Sequence, residues 1–142
     1  MRDLEHPGRS PVLSTNGMAA TSHPLSTQVA VRVLEDGGNA LDAAVAACAV
    51  QCVVEPESTG IGGDCFCLFS PKGATDIVAY NGSGRAPAAA TAKWYADNGI
   101  TEIEQQSPHS VTVPGAIDAW DVLVLQHPQS GWTNGTALED FA

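Results

Sequence analysis

Apolar positions first become periodic after residue 22. Leu25, Val29 and Val33 stand at i, i+4 and i+8 with Ala30 and Leu34 beside them, while Arg32, Glu35 and Asp36 lie off that face. This spacing predicts an amphipathic helix. Ser22 is its expected N-cap, Pro24 sits in the first turn where a missing N–H costs nothing, and Gly37-Gly38 ends it. Asn39 opens a second helix, with Asp42 three positions on to complete a capping box. Its sequence, ALDAAVAACAVQCVV, is apolar nearly all round and built of small residues, which predicts close packing on both sides; Glu55-Pro56 stops it.

The remaining elements are shorter. Residues 12–21 read as a short strand pair around the Asn16-Gly17 turn. Cys65-Phe66-Cys67-Leu68-Phe69 is apolar on both faces and predicts a strand, returned by Ser70-Pro71-Lys72-Gly73 into a second strand over residues 76–80, as a hairpin. A helix is expected near 91–97, a strand over 109–113, a break at Pro114-Gly115, and a helix over 116–126 with Ile117, Trp120 and Val124 on one side. Thr136 and Glu139 form a further capping box, announcing a helix that receives only a few residues before Ala142. The expectation is a chain that stops where a new element starts. Residues 1–11, with two prolines and mixed charge, read as a flexible N-terminal arm.

Composition narrows the function classes. The chain has 142 residues and a formal net charge of −10, from 16 acidic and 6 basic side chains. So acidic a chain repels phosphate backbones, so no nucleic-acid partner is expected. The apolar run at residues 40–54 is too short to span a bilayer, so no membrane partner is expected either. No apolar stretch follows the N-terminal charges, which predicts a cytoplasmic chain with its four cysteines as reduced thiols.

Few residues carry obvious chemistry. Ser58-Thr59-Gly60-Ile61-Gly62-Gly63 is glycine-rich, but it lies after a helix and before a strand, the reverse of a phosphate-binding loop, and no lysine follows it. Close backbone packing, or the border of an active site, is the reading it leaves. Cys48 and Cys52 lie one helical turn apart and Cys65 and Cys67 share a strand face, without a Cys-x-x-Cys knuckle, so small buried hydrophobes are preferred to a zinc site. Arg85 follows the second strand in a Gly/Ser-rich segment. Its planar fork suits a carboxylate ligand, and spacing alone leaves that reading level with a surface arginine paired to one of the acids.

Several motifs stand in a familiar order: Gly17-Met18, Gly37-Gly38-Asn39-Ala40, Asp42-Ala43-Ala44, Val54-Glu55-Pro56, Gly60-Ile61-Gly62-Gly63, Ala86-Pro87-Ala88-Ala89 and Val113-Pro114-Gly115. From about residue 16 almost to its end, the chain resembles the N-terminal region of the large subunit of γ-glutamyltransferases (γ-glutamyltranspeptidases, glutathione hydrolases). The resemblance implies an α+β fold, an N-terminal-nucleophile hydrolase αββα sandwich of which residues 12–142 form an N-terminal portion. It also implies an enzyme that transfers or hydrolyses the γ-glutamyl group of glutathione-type substrates through a threonine acyl-enzyme, with no cofactor and no metal. The nucleophile belongs to a Thr-Thr-His-type motif in a small subunit. Thr21-Ser22-His23 is only an echo of it, so the chain alone is expected to be inactive and to need the remainder of the enzyme as partner. No catalytic residue is assigned here. In an Arg-x-x-Ala-Pro pattern the family's arginine holds the substrate α-carboxylate; here Ser83 occupies that position and Arg85 lies two residues later, about 6.6 Å along an extended chain. Ser83 and Arg85 are the substrate-binding candidates. The alternative is a small non-catalytic binding module descended from the enzyme, with its cysteines as a metal site.

Overall fold

The structure, a computed structural model, describes residues 11–71 and 75–126. Its elements run α1 (Pro24–Glu35), α2 (Ala40–Val54), β1 (Cys65–Phe69), β2 (Val78–Gly82), α3 (Ala92–Asp97), a 3-10 turn (Pro108–Ser110) and α4 (Ala116–Asp121), which continues as a π-helical turn (Val122–Gln126). The predicted capping box at Thr136 and Glu139 and the arm's first ten residues lie outside the described residues.

α1 and α2 form a tight helical hairpin. Gly37 takes φ +95°, and the N–H groups of Gly37 and Gly38 donate to the carbonyls of Leu34 and Val33, closing α1 with a Schellman motif. A Cβ on Gly38 would stand 2.6 Å from Val33 Cγ1 and 2.9 Å from the Val33 carbonyl oxygen. Asn39 Oδ1 then accepts from the N–H groups of Leu41 (2.7 Å) and Asp42 (3.0 Å), while Asp42 Oδ2 accepts from Asn39 N–H (2.8 Å). The expected capping box is present.

The core between these helices is made of Ala30, Val33, Ala43, Ala46 and Ala47, with Ala19, Val29 and Leu34 packed against it. Small side chains let the two backbones approach closely. Ala30 and Val33 of the predicted α1 face are buried as expected, but that approach corrects the rest of it: Ser26 is buried, whereas Leu25 is 49% exposed. The N-cap is also corrected. His23 Nδ1 accepts from Leu25 N–H, because the Ser22 hydroxyl is engaged elsewhere: it donates to Glu55 Oε2 and accepts from Gln51 Nε2 at 2.7 Å. This network ties the start of α1 to the end of α2. In α2, Leu41, Asp42, Ala43, Val45, Ala46 and Ala47 are buried, but Ala44 is exposed and Val53 near its end is 79% exposed, so the nearly all-round packing expected of it holds only in part, and chiefly in its first half.

β1 and β2 pair antiparallel, Cys67 opposite Tyr80, two residues later on the second strand than predicted. Cys65, Cys67 and Phe69 are half-buried on one face, whereas Phe66 and Leu68, on the other, are 69% and 74% exposed. Two further expectations fail. Residues 12–21 make no strand pair: residues 16–21 line a 560 Å³ groove with Ala30, Leu34, Ala43 and Ala47 instead of folding back at Asn16-Gly17. Residues 109–113 are not a strand; Pro108 starts a 3-10 turn capped by Ser107 Oγ, and Val113 N–H donates to the Arg85 carbonyl at 2.9 Å. In α4 the buried side is Ala116, Ala119 and Trp120, with Leu123 in the π turn, while Ile117 is 50% exposed.

Asn39→Ala removes the single oxygen that accepts both N-cap hydrogen bonds of α2 and is expected to destabilise the protein by about 1 kcal/mol. Urea unfolding, as a fall in midpoint at unchanged slope, measures it.

Candidate functional site

Three segments converge beside the β-hairpin: the glycine loop before β1, residues 82–87 after β2, and residues 111–116 leading into α4. Two consecutive residues join them. The Gly63 carbonyl accepts from the N–H groups of Gly115 (3.1 Å) and Ala116 (3.0 Å). Asp64 Oδ1 accepts from Gly84 N–H (3.0 Å) and from Thr112 Oγ1 (2.9 Å). The glycines are needed for the close approach. A Cβ on Gly82 would stand 2.6 Å from Ala119 Cβ and 2.7 Å from the Cys65 carbonyl, and one on Gly84 would overlap the Val113 carbonyl. In the glycine loop before β1, by contrast, a Cβ would meet nothing within 4 Å at Gly60 or Gly62 and only the Gly60 carbonyl, at 3.5 Å, at Gly63, so close packing does not explain those glycines; the loop joins the junction through the Gly63 carbonyl.

The Asp64 carboxyl is held below the ordinary carboxylate range, first by the Gly84 N–H and then by the Thr112 hydroxyl. At neutral pH it is an anion whose Oδ1 fixes the backbone one residue before Arg85. Sequence reading passed over Asp64, although its place directly after the glycine loop and before a strand was the available signal.

Arg85 and Ser83 both lie exposed on this clamped segment. Ser83 N–H donates to Asn81 Oδ1 at 3.0 Å, and its hydroxyl makes a long contact, 3.4 Å, to the Gly84 carbonyl. The Arg85 backbone is fixed by Val113, but its guanidinium has no ion pair or hydrogen bond among the described residues, whereas Lys93 pairs with Asp97 at 2.8 Å. The structure thus brings the two candidates together on one short loop, with the arginine free for a ligand.

The thiols behave differently. Cys48, Cys52, Cys65 and Cys67 are free and half-buried. Burial pushes the Cys48, Cys65 and Cys67 thiols up; neighbouring thiols add to this at Cys48 and Cys67, and a hydrogen bond with Trp120 opposes it at Cys65. Thiols raised in this way stay protonated and weakly nucleophilic at neutral pH. Among the described residues no three His, Cys, Asp or Glu side chains come together as a metal-binding group.

Residues 26–135 match the family model described as gamma-glutamyltranspeptidase. The chain belongs to the gamma-glutamyltranspeptidase family. It is 39% identical over 117 residues to the glutathione hydrolase-like YwrD proenzyme of Bacillus subtilis, covering 82% of this chain and 22% of that protein. It is 40% identical over 109 residues to the oxamate amidohydrolase proenzyme of Klebsiella pneumoniae, covering 76% of this chain and 20% of that one. Among solved structures, Helicobacter pylori gamma-glutamyltranspeptidase superposes with a TM-score of 0.72 at 31% identity, over 82% of this chain and 34% of that chain. The chain therefore spans about a fifth of the length of these two curated relatives, and it corresponds to the N-terminal part of the family's large subunit. Its α+β portion belongs to the N-terminal-nucleophile hydrolase fold that the sequence implied.

Because the Asp64 carboxyl is lowered in the folded protein, the clamp it makes is fully present above its unfolded pKa, about 3.9, and is lost as pH falls through the lower folded value. Hydrogen exchange at the Gly84 amide reads this directly. Asp64→Ala is expected to speed that exchange several-fold at neutral pH, leaving the α2 amides unchanged.

Proposed function

We propose that the whole protein to which this region belongs transfers or hydrolyses the γ-glutamyl group of glutathione-type substrates, and that Arg85 binds the glutamyl α-carboxylate. The observation that carries the reading is the free guanidinium of Arg85 on a backbone clamped by Asp64. Family membership supplies the chemistry. In the proposed reaction a threonine hydroxyl of the remaining part attacks the γ-carbonyl, and its own α-amine takes the proton. The amide C–N bond breaks, the leaving amine departs protonated, and an ester acyl-enzyme remains for water or an amino acid to accept.

What this region contributes is positioning. A bidentate arginine fixes both the distance and the plane of a carboxylate, which holds the γ-carbonyl at a set reach from the nucleophile. Ser83, two residues before Arg85, adds a hydroxyl at the position the family's arginine occupies. The partner for this role is the remainder of the enzyme, for which the exposed faces of β1 and α2, with Phe66, Leu68 and Val53, offer apolar area to cover. The proposed compartment is the cytoplasm, in keeping with the four free thiols; no described helix is long and apolar enough to cross a membrane.

In the full-length protein, Arg85→Ala is expected to lower kcat/KM for a γ-glutamyl amide about 10- to 100-fold, the worth of a charged hydrogen-bond pair. The loss should fall mainly on KM, with Arg85→Lys between the two. An unchanged kcat/KM contradicts the assignment.

A further inference from the structure

A second feature lies next to Arg85 on the same segment. Pro87, Trp94, Tyr95, Pro108, His109 and Val111 line most of a cleft of about 170 Å³. Three of these residues form a closed ring cluster. Trp94 and Tyr95 meet edge-to-face at 5.2 Å, Tyr95 and His109 edge-to-face at 5.5 Å, and Trp94 and His109 at 5.7 Å. Each wall is held by its own cap: Thr91 Oγ1 accepts from Trp94 N–H at the start of α3, and Ser107 Oγ accepts from His109 N–H in the 3-10 turn. The Arg85–Val113 backbone hydrogen bond lies two residues along the chain from two of the lining residues, Pro87 and Val111.

The geometry sets what fits. Pro87 is two residues from Arg85, so their Cα atoms are at most about 7 Å apart. A cavity of roughly 150 Å³ accepts a benzene molecule, so this cleft takes one ring. The lining contains no carboxylate, and its prolines and aromatic rings present apolar faces. Trp94 remains 41% exposed although its ring is the largest in the wall. Arg85, two residues along the chain from the lining residue Pro87, is a cation with no side-chain partner among the described residues, in a chain of net charge −10, a setting that selects a negative group.

We propose that this cleft binds a small carboxylic acid bearing one ring-sized apolar group, the ring between Trp94 and Val111 and the carboxylate on Arg85. The proposal rests on the reading of Arg85 as a carboxylate anchor and adds the specificity element beside it. The test titrates the intact protein with phenylacetate, acetate and phenylacetamide while the Trp94 indole signal is followed by NMR, assigned with Trp94→Phe. Phenylacetate is expected to bind about tenfold more tightly than acetate, from stacking in the cleft, and about tenfold or more tightly than its neutral amide, from Arg85. Val111→Asp, at a residue 61% exposed, places a carboxylate in the cleft without unfolding the protein and abolishes the preference over acetate. Equal binding of phenylacetate and acetate overturns the cleft proposal while leaving the Arg85 anchor standing. Equal binding of phenylacetate and phenylacetamide overturns the anchor and, with it, the two-point site. No change at Trp94 with any of the three overturns the cleft as a binding site.

Discussion

Gly63 and Asp64 hold together parts of the chain that are otherwise separate. The Gly63 carbonyl takes two N–H donors at the start of α4, and the Asp64 carboxylate takes one from Gly84 and the hydroxyl of Thr112. One side of the junction is therefore neutral backbone pairing and the other is charge-assisted. The charged side faces solvent, so its value is geometric: it fixes the register of the segment that carries Ser83 and Arg85. Without a fixed backbone, a long arginine side chain loses rotamer freedom on binding and gains little.

The helical hairpin carries a small-residue core of its own. Its core of alanines and Val33 buries little area per residue, so close backbone approach must compensate for small side chains. The Ser22–Gln51–Glu55 network and the Asn39–Asp42 capping box lie at opposite ends of α2 and keep its register against α1. Beyond this core, Ala116, Ala119, Trp120 and Leu123 are buried, but other apolar side chains are open. Phe66 and Leu68 on β1 and Val53 on α2 are largely exposed, the pattern of a region that packs against further layers of a larger fold.

Local signals were readable wherever the element supplies its own partners. Both long helices, their glycine stop, the Asn39 capping box and the hairpin are all encoded within a few residues, and all were expected. The failures share a cause. The α1 face was assigned by side-chain hydrophobicity, but α2 selects for small residues, so Ser26 is buried in place of Leu25, while Ala30 and Val33 are buried as expected. Residues 12–21 and 109–113 have strand-like composition yet no neighbouring strand to pair with among the described residues, and composition alone cannot supply one. At the site, Arg85 stood out as an arginine in a glycine-rich segment. Asp64 did not, because its partners lie 20 and 48 residues away in the sequence.

Backbone packing around Asp64, and not the arginine's side chain alone, is what sets up the carboxylate site proposed at Arg85. Gly84→Ala tests it most directly, since its added methyl group overlaps the Val113 carbonyl while leaving every charged residue in place. The measurement is glutamate affinity by calorimetry in the intact protein, alongside its melting temperature. The account predicts that affinity falls about as far as it does in Arg85→Ala, with a lowered melting temperature. Unchanged glutamate affinity in Gly84→Ala would contradict it.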